Sequence, residues 1–225
     1  MILFITGTDT GVGKTYATGL LGRVLLQEGF RVITQKPIQT GAQKPEDLML
    51  HRKLMNLPAD DEELLSLTNP YLFSYPAAPE TAARLEGKKV SLLHLKKTLE
   101  SLNKRYDFVL VEGAGGLDVP LNEKETFLDL FSYFLAPVVV VSSARLGTIN
   151  HTVLTVEALK RRGLYVYGLI YNLFGVNDDF LALTSLQNIK RLTGIDNILT
   201  LPPLESQISH TLLRCTRRFL KSFLP

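Results

Sequence analysis

Lys14 and Thr15 close a stretch, Met1 to Thr15, that reads MILFITGTDTGVGKT. A lysine ammonium in this position can reach the β- and γ-phosphate oxygens of a nucleotide, and the neighbouring threonine hydroxyl can enter the coordination shell of Mg²⁺. Gly11, Val12 and Gly13 precede the pair and Tyr16 follows it. Glycine lets the backbone approach a phosphate where a Cβ would obstruct the oxygens or forbid the backbone angles. Successive N–H groups then line a concave nest, and the start of the following helix adds positive partial charge. The spacing is one residue longer than in the usual phosphate loop. Thr8 stands where the first glycine should fall, and Gly7 comes one residue early. A flexible turn that matches by chance is the alternative; the apolar strand before the loop and the helical pattern after it favour phosphate binding.

Four further residues carry chemistry, three of them at the ends of apolar runs. Glu112 follows Phe108–Val111 and precedes Gly113, Gly115 and Gly116. An acidic residue after a buried strand commonly helps hold Mg²⁺ in phosphoryl-transfer sites, although it could also cap a turn. Lys36 ends the run that starts at Arg31 and is followed by Pro-Ile-Gln-Thr-Gly. It reads as a second phosphate-side cation or as an ordinary surface lysine. Asp47 starts a helical stretch, where it either caps the helix or partners a metal. Asn172 ends the run Leu164–Tyr171, as a base-reading amide or as a turn residue. His51, His94, His151 and His210 are too dispersed to suggest a metal site, and Cys215 stands alone. Arg214, Arg217, Arg218 and Lys221 recur with Leu213, Phe219 and Leu220 as a solvated amphipathic helix.

The elements that must position these groups alternate. Apolar periodicity predicts strands over 2–5, 31–36, 108–111, 138–141, 164–171 and 198–201, with helices over 15–29, 46–56, 80–86, 91–104, 126–135, 149–162, 178–193 and 208–223. Gln39-Thr40-Gly41 reads as a turn. Residues 57–79, with Pro58, Pro70, Pro76 and Pro79, read as irregular. Strands alternating with helices imply an α/β fold around a parallel sheet, and ligands of such sheets bind at the carboxyl ends of the strands. Lys14, Lys36, Glu112, Gly147 and Asn172 all follow strand ends. With no linker or repeat, residues 1–225 read as one domain.

Composition narrows the class. The chain has 225 residues, 45% hydrophobic and 21% charged, with a net charge of +3. That charge is too small and too scattered to argue for nucleic acid as a partner. A single cysteine excludes an intrachain disulfide and fits a reducing, cytoplasmic setting. No 18-residue uncharged apolar run is present, so no membrane span is expected, and the N-terminal apolar run is too short for a secretory signal.

Four blocks, GTDTGVGKT, KPIQTG, VEGAGG and LGTINHTVLT, taken in order, resemble the dethiobiotin synthetases. Wider relatives of that family are the ParA/MinD-like ATPases and the cobyrinic acid diamide synthases. The ATPases carry a lysine early in the loop where this chain has Asp9. The resemblance implies a three-layer P-loop NTPase fold with a mostly parallel central sheet flanked by helices. It implies ATP as co-substrate, Mg²⁺ as cofactor, and 7,8-diaminononanoate and CO₂ as substrates. It places Thr15, Asp47 and Glu112 in the metal set and Lys14, Lys36 and Thr10 at the reacting phosphate. Thr10, Lys36 and Thr40 fall on the substrate side. Gly11, Val12, Gly13, Lys14, Thr15, Tyr16 and Glu112 surround the nucleotide phosphates. Asn172 maps to an adenine-reading asparagine, flanked by Pro202, Pro203 and Leu204. The family works as a homodimer, so Gly147, Thr148, Ile149 and Asn150 of one subunit would bind the substrate carboxylate held by the other.

Overall fold

A computed structural model describes residues 1–176, 178–203 and 208–224. Six strands build the main sheet: β1 (Ile2–Gly7), β2 (Val32–Gln35), β5 (Phe108–Glu112), β6 (Val138–Ser143), β7 (Val166–Asn172) and β8 (Ile198–Leu201). Their order is β2-β5-β1-β6-β7-β8, and every pairing is parallel. A sheet covered on both faces needs apolar residues at every position rather than at alternate ones. Runs such as Ile-Leu-Phe-Ile and Val-Val-Val-Val supply them, and each of these residues is buried.

Side-chain alternation along β1 shows the two faces. Leu3 and Ile5 pack with Ala17, Leu20, Leu21, Val24 and Leu25 of α1 (Lys14–Gln27), Met55 of α2 (Glu46–Met55), and Leu212 and Phe219 of α9 (His210–Phe219). Ile2 and Phe4 face the opposite layer. That layer contains α4 (Pro79–Leu85), α5 (Leu92–Arg105), α6 (Phe127–Phe134), α7 (Thr148–Arg161) and α8 (Asp179–Thr193). The result is the three-layer arrangement that the alternation implies.

Residues 57–79 are not irregular throughout. They hold α3 (Glu62–Thr68) and β4 (Tyr71–Leu72), and β4 pairs with β3 (Ile38–Gln39), so Gln39 lies in a strand rather than in a turn. Asp61 caps α3 by accepting the Leu64 N–H at 2.8 Å, with Glu62 and Glu63 in the first turn. This start signal is local, but the prolines on either side of it mask it. The segment is stapled to α2, and α2 in turn to β2. Arg52 Nε and Nη2 donate to Asp60 Oδ1 and Oδ2 at 2.5 and 2.7 Å, and Arg52 Nη1 donates to Thr34 Oγ1 at 2.7 Å. The final helix is also shorter than its apolar period suggested. It runs from His210 to Phe219, and a 3₁₀ turn over Lys221–Phe223 follows.

Candidate functional site

Because all six strands run the same way, their carboxyl ends form one edge in the order Lys36, Glu112, phosphate loop, Arg145–Asn150, Asn172, Pro202. Register brings the first two together: Gln35 pairs with Val111, so the residues that follow, Lys36 and Glu112, are neighbours. Lys36 Nζ lies 2.6 Å from Glu112 Oε1, 2.7 Å from Asp47 Oδ2 and 3.3 Å from the Gly113 carbonyl. Its three N–H groups therefore have three acceptors. Thr15 Oγ1 lies 3.0 Å from Asp47 Oδ1 and 3.1 Å from Glu112 Oε1. His51, absent from the sequence-based set, places Nε2 at 2.7 Å from Glu112 Oε2. Its signal was present but weak: His51 stands four residues after Asp47, on the same helical face.

Burial sets the electrostatics of this cluster. The Lys36 and Glu112 side chains are 5% and 1% exposed. Burial works against the charge on Lys36, but Glu112 and Asp47 outweigh it and hold the ammonium above its usual pKa. Burial likewise opposes the Glu112 charge, yet Lys36 and His51 hold that carboxyl well below the usual range. Lys14 has no such carboxylate against it. Its Nζ donates to the Asp9 carbonyl at 2.8 Å, and burial, reinforced by the Lys36 charge, pushes it down to about 8.

The phosphate loop has the conformation that its glycines require. Gly7, early in the motif, has no room for a side chain: a Cβ there would meet Asp9 O and Val12 Cγ2 at 2.8 Å and Lys14 Nζ at 2.9 Å. Gly13 has φ +100°, and a Cβ would fall 2.5 Å from Asn172 Nδ2. Asn172 supports the loop by donating to the Val12 carbonyl at 3.0 Å, while its Oδ1 accepts the Phe174 N–H at 3.0 Å. Gly13→Ala is expected to weaken nucleotide binding by at least about tenfold, since a left-handed alanine alone costs roughly 1–2 kcal/mol. Calorimetric titration with ADP measures this, and an unchanged dissociation constant would count against the loop's role.

The remaining sequence-based residues are placed as follows. Gly11 and Thr10 are exposed, and Tyr16 and Thr40 are half-buried. Thr10 faces Gly115 across the loop: a Cβ on that glycine would lie 3.6 Å from Thr10 Oγ1. Gly147 is the N-cap of α7. Gly147, Thr148, Ile149 and Asn150 line a cavity of about 450 Å³ whose other walls include Leu181, Ser185 and Leu192, away from the Lys36 cluster. An ion pair between Arg145 and Asp9 ties this segment to the phosphate loop. Pro202 follows Leu201, the register partner of Asn172, and is half-buried; Pro203 is exposed. Leu204 lies outside the described residues.

A family model described as an AAA domain matches residues 2–211. The ATP-dependent dethiobiotin synthetase of Pasteurella multocida is 42% identical over 84% of this chain and 90% of its own length. Its counterpart in Anaeromyxobacter sp. strain K is 45% identical over 89% of each chain. This chain belongs to the dethiobiotin synthetase family. Solved structures show the fold at lower identity. A putative plasmid partition protein from Borrelia burgdorferi bound to AMPPNP is 18% identical, with TM-score 0.58 over 99% of this chain and 97% of that one. The MinC:MinD complex from Aquifex aeolicus is also 18% identical, with TM-score 0.56 over 97% and 85%. As a P-loop enzyme of a synthetase family, the chain uses a nucleotide.

A pH dependence follows from Lys14. Above pH 8 the free protein's Lys14 loses its proton, whereas an adjacent polyphosphate favours the ammonium. Binding of metal-free ADP should therefore take up protons near pH 8 and weaken by up to about tenfold per pH unit above it. Calorimetry in buffers of differing ionisation heat reads the uptake. A dissociation constant that stays flat from pH 7 to 10 would show that Lys14 does not meet the phosphates.

Proposed function

We propose that this dethiobiotin synthetase family member closes the ureido ring of dethiobiotin from 7,8-diaminononanoate, CO₂ and ATP at the Lys36 edge of the sheet. One substrate amine takes up CO₂ as a carbamate. A carbamate oxygen attacks the γ-phosphorus and ADP leaves, giving a carbamic–phosphoric anhydride. The second amine then attacks the carbamoyl carbon, phosphate leaves with the carbon–oxygen bond electrons, and the five-membered ring closes.

Two anions, carbamate and triphosphate, must meet for the first bond to form. The observation that carries the reading is a second buried ammonium, Lys36, beside the phosphate-loop lysine. Phosphoryl transfer depends mainly on positioning and on charges already fixed in place, which is what two buried lysines supply. Lys14 follows the nest and meets the β- and γ-oxygens. Lys36 reaches the carbamate side by releasing one of its present acceptors. Thr10, exposed on the loop, and Thr40 bind the substrate beside it.

The cluster also fits Mg²⁺. Thr15 Oγ1 has one proton but two carboxylate oxygens within hydrogen-bonding distance, so three hard oxygen donors converge on one point. Among the described residues no three His, Cys, Asp or Glu side chains make a stand-alone metal site. The rest of a metal shell would come from phosphate oxygens and water, as Mg²⁺ at nucleotide sites prefers. When bound there, Mg²⁺ neutralises charge on the transferring phosphoryl group. Thr15, Asp47 and Glu112 would hold it. Asn172 and Pro202 line the place for the base, and the lone cysteine fits work in the cytoplasm.

A second copy of the chain completes the substrate site. Leu146 and Phe180 are 86% and 77% exposed, and Leu154, Leu183 and Leu192 are exposed with them on α7 and α8. An apolar surface of this kind favours a partner over water. The start of α7 then offers the N–H groups of Gly147 to Asn150 to the substrate carboxylate of the other subunit. Phe180→Arg is expected to give a monomer by analytical ultracentrifugation and to raise KM for diaminononanoate. A dimer that persists with unchanged KM would refute the shared site.

The decisive experiment incubates the protein with diaminononanoate, bicarbonate, Mg²⁺ and ATP and looks for dethiobiotin by mass spectrometry. ATP turnover without that product, or turnover stimulated only by DNA or lipid, would overturn the reading in favour of a partition-type ATPase.

A further inference from the structure

His51 is fully buried. Its Nε2 lies 2.7 Å from Glu112 Oε2, and since a carboxylate oxygen only accepts, the imidazole donates. Glu112 thus has its two oxygens in different hands. Oε2 belongs to His51, and Oε1 to Lys36 and Thr15. The imidazole's other nitrogen, Nδ1, has no hydrogen-bond partner among the described residues. A buried histidine kept only for packing would normally be satisfied on both nitrogens or replaced by an apolar side chain of similar volume. The unmet Nδ1 is tolerated here alongside one side-chain hydrogen bond among the described residues, the one to Glu112.

The placement on α2 gives that contact a consequence. Asp47 and His51 are four residues apart and share a helical face. One turn of helix therefore supplies one carboxylate of the cluster and grips the other. The helix is itself pinned one residue later, where Arg52 bonds Asp60 and Thr34. The terminal torsion of a glutamate side chain is soft, so a carboxylate held only through Oε1 could rotate and present both oxygens.

We propose that His51 is a positioning residue for the metal: by holding Glu112 Oε2, it leaves only Oε1 to face the magnesium–nucleotide. The inference rests on the reading of Thr15, Asp47 and Glu112 as the metal set. Outer partners that orient ligating groups typically change metal affinity by about 10–100-fold when removed.

The test uses the full-length protein with ADP and Mn²⁺ as a paramagnetic probe, free Mn²⁺ being read by electron paramagnetic resonance. Glutamine can bring its amide N–H to the place of Nε2, whereas asparagine is too short. His51→Gln is expected to keep Mn²⁺ affinity within about threefold of wild type, and His51→Asn to lose about 10–100-fold, with metal-free ADP affinity equal in all three. His51→Leu should behave as His51→Asn; should it not fold, the Gln and Asn variants carry the test by themselves. Wild-type affinity in His51→Asn, or an equal loss in His51→Gln, would overturn the positioning role while leaving the metal site standing. If wild-type protein with ADP gains no Mn²⁺ affinity over ADP alone, the metal set itself is wrong and the proposal falls with it.

Discussion

Lys36→Ala should cut dethiobiotin formation by about 10²–10³-fold, the usual loss when one preorganised charge contact to a developing anion is removed. ATP binding should survive, because Lys14 and the loop N–H groups remain. The residue is 5% exposed and bonded to Glu112 and Asp47, so the substitution also acts on its neighbours. Without the Lys36 charge, Glu112 loses the largest influence that keeps its carboxyl low, and Lys14 loses a repulsion that depresses its own pKa. The variant should therefore bind metal-free ADP at least as tightly as wild type above pH 8, while turnover collapses. Single-turnover product formation and calorimetric ADP titration separate the two effects. Product formation within threefold of wild type would remove Lys36 from the chemistry.

Asp60→Ala should cost about 3–5 kcal/mol of folding stability, because it strands a guanidinium inside the protein. The Arg52 and Asp60 side chains are 4% and 5% exposed, and the pair is bidentate. Thr68 Oγ1 donates to the same carboxylate at 2.7 Å, so the loss reaches α3 as well as α2. A surface ion pair would be worth under about 1 kcal/mol, so urea unfolding distinguishes the two cases clearly. The pair Arg52→Met with Asp60→Leu should recover most of the loss, since apolar replacement of both buried partners is often neutral. A midpoint shift corresponding to less than about 1 kcal/mol in Asp60→Ala would show that water reaches the arginine. Because Arg52 adjoins His51 on α2, Asp60→Ala should also loosen the hold on Glu112.

Legibility differed from one part of the chain to another. The six strands were readable because a parallel sheet buried on both faces needs continuous apolar runs, and Val138–Val141 or Ile2–Ile5 can hardly be anything else. Residues 57–79 read as irregular because four prolines punctuate them and the Asp-Glu-Glu start of α3 is short. The β3–β4 pair was invisible: two-residue strands carry no periodicity, and their pairing joins segments about thirty residues apart. The last helix was overextended because apolar spacing continues past Phe219, where Leu220 turns into the core.

At the site, residue types and short spacings are enough to place Lys14, Lys36, Glu112, Gly147 and Asn172 after strand ends. A strand, the loop after it and the next helix are contiguous, and their signals are local. Which of those ends become neighbours depends on strand order, and β2-β5-β1 is a product of long-range packing that no window of sequence contains. That order sets Lys36 against Glu112 and turns α2 so that Asp47 and His51 hold the cluster from one side, while its continuation from β1 through β6 to β7 puts Asn172 against Gly13. His51 looked like a stray histidine for this reason: its meaning lies in a carboxylate sixty-one residues away, brought to 2.7 Å only when the sheet has assembled.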